Sequence, residues 1–221
     1  MYIWFILALL CAVLVAIAVR KDLRKLEYLA KPAVMVCLFL WLYVSTGLQG
    51  STFWFGAGIL FSLVGDVLLM TALDRLFLFG LIAFLFAHTG YIIGFSREIT
   101  TTSVWSFILL IFIAIGASRL LRRIVGAMQS KGQSQLIVPV IIYGIVISVM
   151  LYAAMSTIYD QSWKTNAALF VSLGAFLFWI SDVILAWNRF VSPINNGRLF
   201  NMAIYHLGQI SLIAGVISQF R

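Results

Sequence analysis

Eight runs of nearly unbroken hydrophobicity govern what this chain can become. They lie at about residues 2–19, 32–48, 53–70, 76–95, 103–118, 136–158, 165–187 and 199–220. A helix crosses the hydrocarbon of a bilayer with roughly 20 mainly apolar residues, and each run is of that order. The runs are continuous, which is not the period-two alternation of a transmembrane barrel. Of the 221 residues, 63% are hydrophobic and only 10% charged, a balance outside the range of soluble domains. The expectation is an all-α integral membrane protein: a single bundle of eight transmembrane helices, forming one domain over residues 1–221. The first run has a small-x-small end at Ala16-Ile17-Ala18 but no preceding Lys or Arg, so it reads as a retained helix and not as a signal peptide. Cys11 and Cys37 fall inside the first two runs without a CxxC or His-rich context and read as packing residues.

The formal net charge of +8 raises the question of nucleic acid, and the distribution of charge argues against it. Twelve of the 15 Lys and Arg residues fall in the odd-numbered loops, five of them in Arg20, Lys21, Arg24, Lys25 and Lys31. By the positive-inside rule the odd loops are cytoplasmic and both termini are non-cytoplasmic. The basic residues then serve as topology signals and partners of anionic lipid head groups. The segment RKDLRKLEYLAKP reads either as a short interfacial helix or as an ordinary basic loop. The longest polar connection is expected at Arg119 to Gln135. The expected location is multi-pass in the inner (cytoplasmic) membrane of a bacterium.

The third and seventh runs resemble each other. GILFSLVGDVLLM (Gly58 to Met70) aligns with GAFLFWISDVILA (Gly174 to Ala186), each with Gly eight residues before Asp and a small residue just before it. The runs that follow carry the only two histidines, in His88-Thr89-Gly90 and His206-Leu207-Gly208. Helices one to four and five to eight are therefore expected to be two parallel four-helix repeats, which would place Asp66 and Asp182 at equivalent positions.

Of the 22 charged side chains, only Asp66 and Asp182 fall inside the runs as bounded above. A central Asp costs about 2.5–3.5 kcal/mol on the insertion scale, so intramembrane acids face the bundle interior or a wet cavity and serve a function. Each lies four to six residues from the cytoplasmic end of its run, on the order of 6–9 Å deep. Two carboxylates in a low-dielectric site do not both ionise cheaply, and a pair that shares one proton suits acid–base chemistry at an oxocarbenium-like centre. His88 and Tyr91 share a helix face by their i, i+3 spacing, as do Tyr205 and Gln209 by i, i+4. Asn188, Arg189 and Phe190 follow the second acid at the inner boundary, where Arg189 can meet a phosphate. Two histidines are too few for a zinc hydrolase site of three His and an Asp, and the chain has no GxSxG, P-loop or GxGxxG motif. Neither a metal nor another cofactor is expected. The residues alone leave three readings open: an acid–base enzyme, a proton-coupled lipid or small-molecule transporter, and a non-catalytic membrane scaffold.

The set formed by SLVGDVLLM, FLFAHTGYI and WISDVILAWNRF resembles the YhhN-like lysoplasmalogenase family of eight-helix membrane proteins. The likeness extends to Lys31-Pro32, Tyr143 with Ser148 and Met150, Asn188-Arg189-Phe190, and Tyr205 with Gln209. It implies hydrolysis of the vinyl ether bond of a lysoplasmalogen, giving a fatty aldehyde and glycerophospho-ethanolamine or glycerophosphocholine. Asp66 and Asp182 would be the catalytic acid and the stabiliser-base, in either order. His88, Tyr91, Tyr143, Tyr205 and Gln209 would line or support the pocket, and Lys31, Asn188 and Arg189 would sit near the head-group phosphate. The implied partners are a lysophospholipid substrate and membrane lipids.

Overall fold

A computed structural model describes residues 2–70, 74–100 and 103–221, with the side chains of residues 74 and 75 outside the description. Among the described residues all regular secondary structure is helical: α1 Tyr2–Arg20, α2 Arg24–Thr46, α3 Thr52–Met70, α4 Asp74–Ser96, α5 Val104–Ser130, α6 Ile137–Ser156, α7 Thr165–Ala186 and α8 Gly197–Phe220. All eight include a stretch long and apolar enough to cross a membrane. Short 3-10 turns flank α6 at Ser134–Leu136 and Thr157–Tyr159, and a π turn, Trp187–Val191, continues α7.

Two helices run further than their apolar runs, for the same physical reason. α2 begins at Arg24, so the basic segment is neither a loop nor a separate interfacial helix. Glu27, Ala30, Lys31 and Val34 recur at helical spacing and are all buried, which gives this charged stretch an inward face. Pro32 sits inside the helix and has no N–H to offer the Tyr28 carbonyl, a loss borne near the helix start. α5 continues to Ser130 through most of the expected polar connection, because Ala117, Ile124 and Met128 keep one buried stripe while Arg119, Arg122 and Arg123 point elsewhere. A hydropathy run ends at the first charges. A helix ends only where its buried face and its caps do. α2 stops at Gly47, in the left-handed region at φ 65, whose N–H returns to the Tyr43 carbonyl at 2.8 Å. α5 starts at Ser103, whose hydroxyl accepts from the Trp105 N–H.

The most extensive seams join α7 to α8, α3 to α4, and α1 to α2. α8 is the most enclosed helix, packing also on α1, α2 and α3, whereas α5 is the least buried and leans on α6 and the π turn. Glycines set the first two seams. A Cβ on Gly90 of α4 would come within 3.0 Å of the Trp54 carbonyl and 3.3 Å of the Gly58 nitrogen of α3. A Cβ on Gly174 of α7 would come within 2.7 Å of the Gly208 carbonyl of α8, and one on Gly208 within 3.0 Å of the Gly174 carbonyl. In lipid there is little hydrophobic drive between helices, so close backbone contact across small residues supplies the adhesion.

Candidate active site

The ends of α3 and α7 bring both intramembrane acids to one cavity. It contains about 1000 Å³ of non-atom space, counting its open mouth, and its wall includes Asp66, Asp182, Lys31, Tyr205, Asn188, Arg189, Arg198 and Asn201. A second, apolar groove lies between α4, α5, α6 and α7, with about 620 Å³ of non-atom space counting its open side and with Asp182 and Tyr143 as its ionisable wall residues. Asp182, Phe77 and Leu185 belong to both walls. The two spaces therefore share a wall at Asp182.

Asp66 is 1% exposed and fully engaged. The Lys31 ammonium, itself 2% exposed, sits 3.0 Å from Oδ1, and the Tyr205 hydroxyl donates to Oδ2 at 2.9 Å. Lys31 reaches the acid because α2 continues as a helix past Pro32 and buries this face. Behind the pair, the Gln209 amide donates to the Ser62 hydroxyl at 3.1 Å, lies 3.5 Å from the Tyr205 hydroxyl, and accepts from the Tyr91 hydroxyl at 2.9 Å. Tyr91 and Gln209 thus form a buried brace behind Asp66, set back from the cavity wall. Such a network is fully paired, as burial demands.

Asp182 is held differently. Its side chain is 14% exposed, and its Oδ2 accepts from the Tyr143 hydroxyl, with His88 Nε2 at 3.7 Å from the same oxygen. The Tyr143 hydroxyl gives its proton to Asp182, so its oxygen accepts from His88 Nε2–H at 3.1 Å. His88 is fully buried against Phe178, and its Nδ1 has no hydrogen-bond partner among the described residues. The other carboxyl oxygen, Oδ1, is the one left to face the cavities.

Toward the mouth, the π turn displays Asn188 and Arg189 into the polar cavity, with the Arg189 guanidinium 3.8 Å above the Phe77 ring. Asn188 Oδ1 accepts from the Ile194 N–H at 2.6 Å, and its amide packs directly on the Cα of Gly197, where any side chain would collide. Three wall or brace features lay outside the sequence reading. Arg198 makes a two-pronged pair with buried Glu27 at 2.6 and 2.7 Å, Asn201 Nδ2 donates to the Ser181 carbonyl at 2.5 Å, and Ser62 receives Gln209. The signals available for them were faint: Ser62 lies four residues before Asp66, and Glu27 and Arg198 are far apart in sequence.

Eight helices able to cross a membrane, with two acids in the wall of a cavity that also holds Lys31, Arg189 and Arg198 and an apolar groove alongside, define the class: a multi-pass helical membrane protein with an ionisable internal cavity. The family model described as the YhhN family matches residues 26–216, and the chain belongs to that family. Its similarity to curated proteins includes Lysoplasmalogenase TMEM86B of Mus musculus, 29% identical over 199 residues, covering 85% of this chain and 73% of the relative. The Homo sapiens protein of the same name is 28% identical over 205 residues, covering 90% of this chain and 80% of the relative. No solved structure matches.

Proposed function

We propose that this protein is a lysoplasmalogenase, hydrolysing the vinyl ether bond of a single-chain alkenyl phospholipid. The observation that carries the reading is the position of Asp182, where a polar cavity with a basic mouth adjoins an apolar groove. A lysophospholipid has the same two parts, and its vinyl ether is the junction between them. Relatives named lysoplasmalogenase over most of both chains support the same activity.

The hydrogen bonds support an assignment of the two acids. Both oxygens of Asp66 are occupied by donors, so Asp66 is the fixed carboxylate. Among the described residues Asp182 accepts only on Oδ2, which leaves Oδ1 to carry a proton toward the substrate. Asp182 gives that proton to the alkenyl carbon distant from oxygen, and the C=C electron pair forms the new C–H bond. The remaining carbon becomes an oxocarbenium centre stabilised by the Asp66 carboxylate. Water adds to it and returns a proton to Asp182. The hemiacetal then breaks its bond to the glycerol oxygen, so R–CH=CH–O–R′ and water become R–CH2–CHO and HO–R′. General acid catalysis of this kind contributes about 10²–10⁴-fold. Tyr143 and His88 orient Asp182, and Asn188, Arg189 and Arg198 receive the phosphate.

The reading also takes α1–α4 and α5–α8 as parallel repeats with the site toward the cytoplasmic leaflet. Its support is that each acid is held by the second helix of its own half and the last helix of the other: Asp66 by α2 and α8, Asp182 by α6 and α4. The Gly58·Gly90 and Gly174·Gly208 seams repeat the relation.

The test is aldehyde release from alkenyl-lysophospholipid by the purified protein. Full activity in Asp182→Asn or Asp66→Asn would overturn the acid pair, and no aldehyde from any vinyl ether lipid would overturn the enzyme reading.

A further inference from the structure

Inward of Asp182 the apolar groove is shorter than a lipid chain. From the level of the Asp182–Tyr143 hydrogen bond its wall runs inward along α7 from Asp182 to Trp179 and along α6 from Tyr143 to Ser148, with α5 covering it from Ile124 to Ala117; outward it continues to Phe190 and Val140. At 1.5 Å per residue these inward spans are about 5 and 8 Å, and the α5 cover about 10 Å, against roughly 15 Å for one leaflet of hydrocarbon. The deep end is closed by the Trp179 indole, which donates to the Ser148 hydroxyl at 3.2 Å. The flank is different. α5 is seated on α6 and the π turn, with no extensive seam to α4 or α7 along the groove. Its seating on α6 is itself close-fitted: a Cβ on Gly144 would come within 2.7 Å of Leu121.

We propose that this groove takes only the proximal part of the substrate's alkenyl chain and passes the rest sideways into the bilayer beside α5, so that it selects for chain shape near the head group and not for chain length. The occupant is a hydrocarbon chain because the wall is apolar, and the chain of a lysophospholipid because the groove adjoins the polar, basic-walled cavity across Asp182. The inference rests on the lysophospholipid reading of the site. It differs from that reading in needing no hydrolysis: any single-chain phospholipid of the same shape should be held.

The full-length protein in detergent micelles is photolabelled with lysophosphatidylcholine carrying a diazirine on the fifth chain carbon, and separately with one labelled near the chain end. The adducts are mapped by mass spectrometry. The proximal probe is expected to concentrate on groove residues such as Leu121 and Ile147 and to be displaced by unlabelled lysophosphatidylcholine. The distal probe is expected to spread over outward-facing residues. Ala117→Phe, which fills the groove, is expected to lower proximal labelling about tenfold. Leu120→Phe serves the same purpose if Ala117→Phe does not fold. Proximal label on outward faces, label that resists displacement, or distal label confined to the groove would each overturn the proposal. The acyl probe has no vinyl ether. Groove labelling without aldehyde release therefore leaves this inference standing while the enzyme reading falls, and the converse result does the reverse.

Discussion

Asp66 and Asp182 occupy matching places in two similar helices, yet one is sealed and the other is poised. Asp66 has a buried cation and a tyrosine on its two oxygens, with Gln209, Ser62 and Tyr91 braced behind. Asp182 has a tyrosine on one oxygen, a histidine behind that tyrosine, and cavity on the remaining side. On the proposed mechanism the enclosed acid is the one that keeps its charge, and the acid with an open oxygen is the one that gains and loses a proton. The same helix motif is given two environments by what neighbouring helices present to it.

The comparison can be broken most directly at the open acid. Asp182→Asn should lower aldehyde release about 10²–10⁴-fold, the worth of a general acid, while its thermal unfolding stays near that of the parent protein. Asp66→Asn should instead strand the Lys31 ammonium in the interior, at a cost of about 3–5 kcal/mol in unfolding measurements. The double variant Asp66→Leu with Lys31→Met should regain most of that stability without regaining activity, because an apolar pair replaces a buried ion pair at little cost. An Asp66→Asn protein as stable as the parent, beside an unstable Asp182→Asn, would reverse the assignment. Tyr143→Phe removes the hydrogen bond that orients the protonated Asp182, worth about 0.5–1.5 kcal/mol, and should lower kcat roughly two- to tenfold with little change in KM. The smallest effect is expected from Gln209→Leu. It leaves the Tyr91 hydroxyl without its acceptor, costing about 1–3 kcal/mol of stability, with kcat within a few-fold of the parent.

Much of the fold was legible because spanning a bilayer demands length and hydrophobicity together, and the eight helices follow the eight runs. The ends of α2 and α5 were not, since a run is interrupted by charges that a helix carries without difficulty. The acids stood out as charges within apolar runs. Lys31 did not reveal its place, because it was separated from its helix by an assumed boundary at Pro32. Its partner lies on another helix 35 positions away, which no local spacing encodes. The i, i+3 relation of His88 and Tyr91 was visible too, but the two residues serve different acids: His88 leans toward Asp182 and Tyr91 toward the brace behind Asp66. Helical spacing specifies a shared face. It does not specify which neighbour meets each end of that face.

The buried charges on α2 also impose an order on how the protein is made. Lys31 enters the membrane region before its counterion exists, because Asp66 lies on the next helix to leave the ribosome. A buried Lys with no counterion is costly inside a membrane helix, so α2 and α3 are best delivered as a hairpin, with the first holding near the interface until the second arrives. Glu27 waits far longer. Its guanidinium partner, Arg198, belongs to the last helix of the chain. This pair closes only once α8 has been made, so a chain cut before α8 leaves the Glu27 carboxylate buried without its guanidinium.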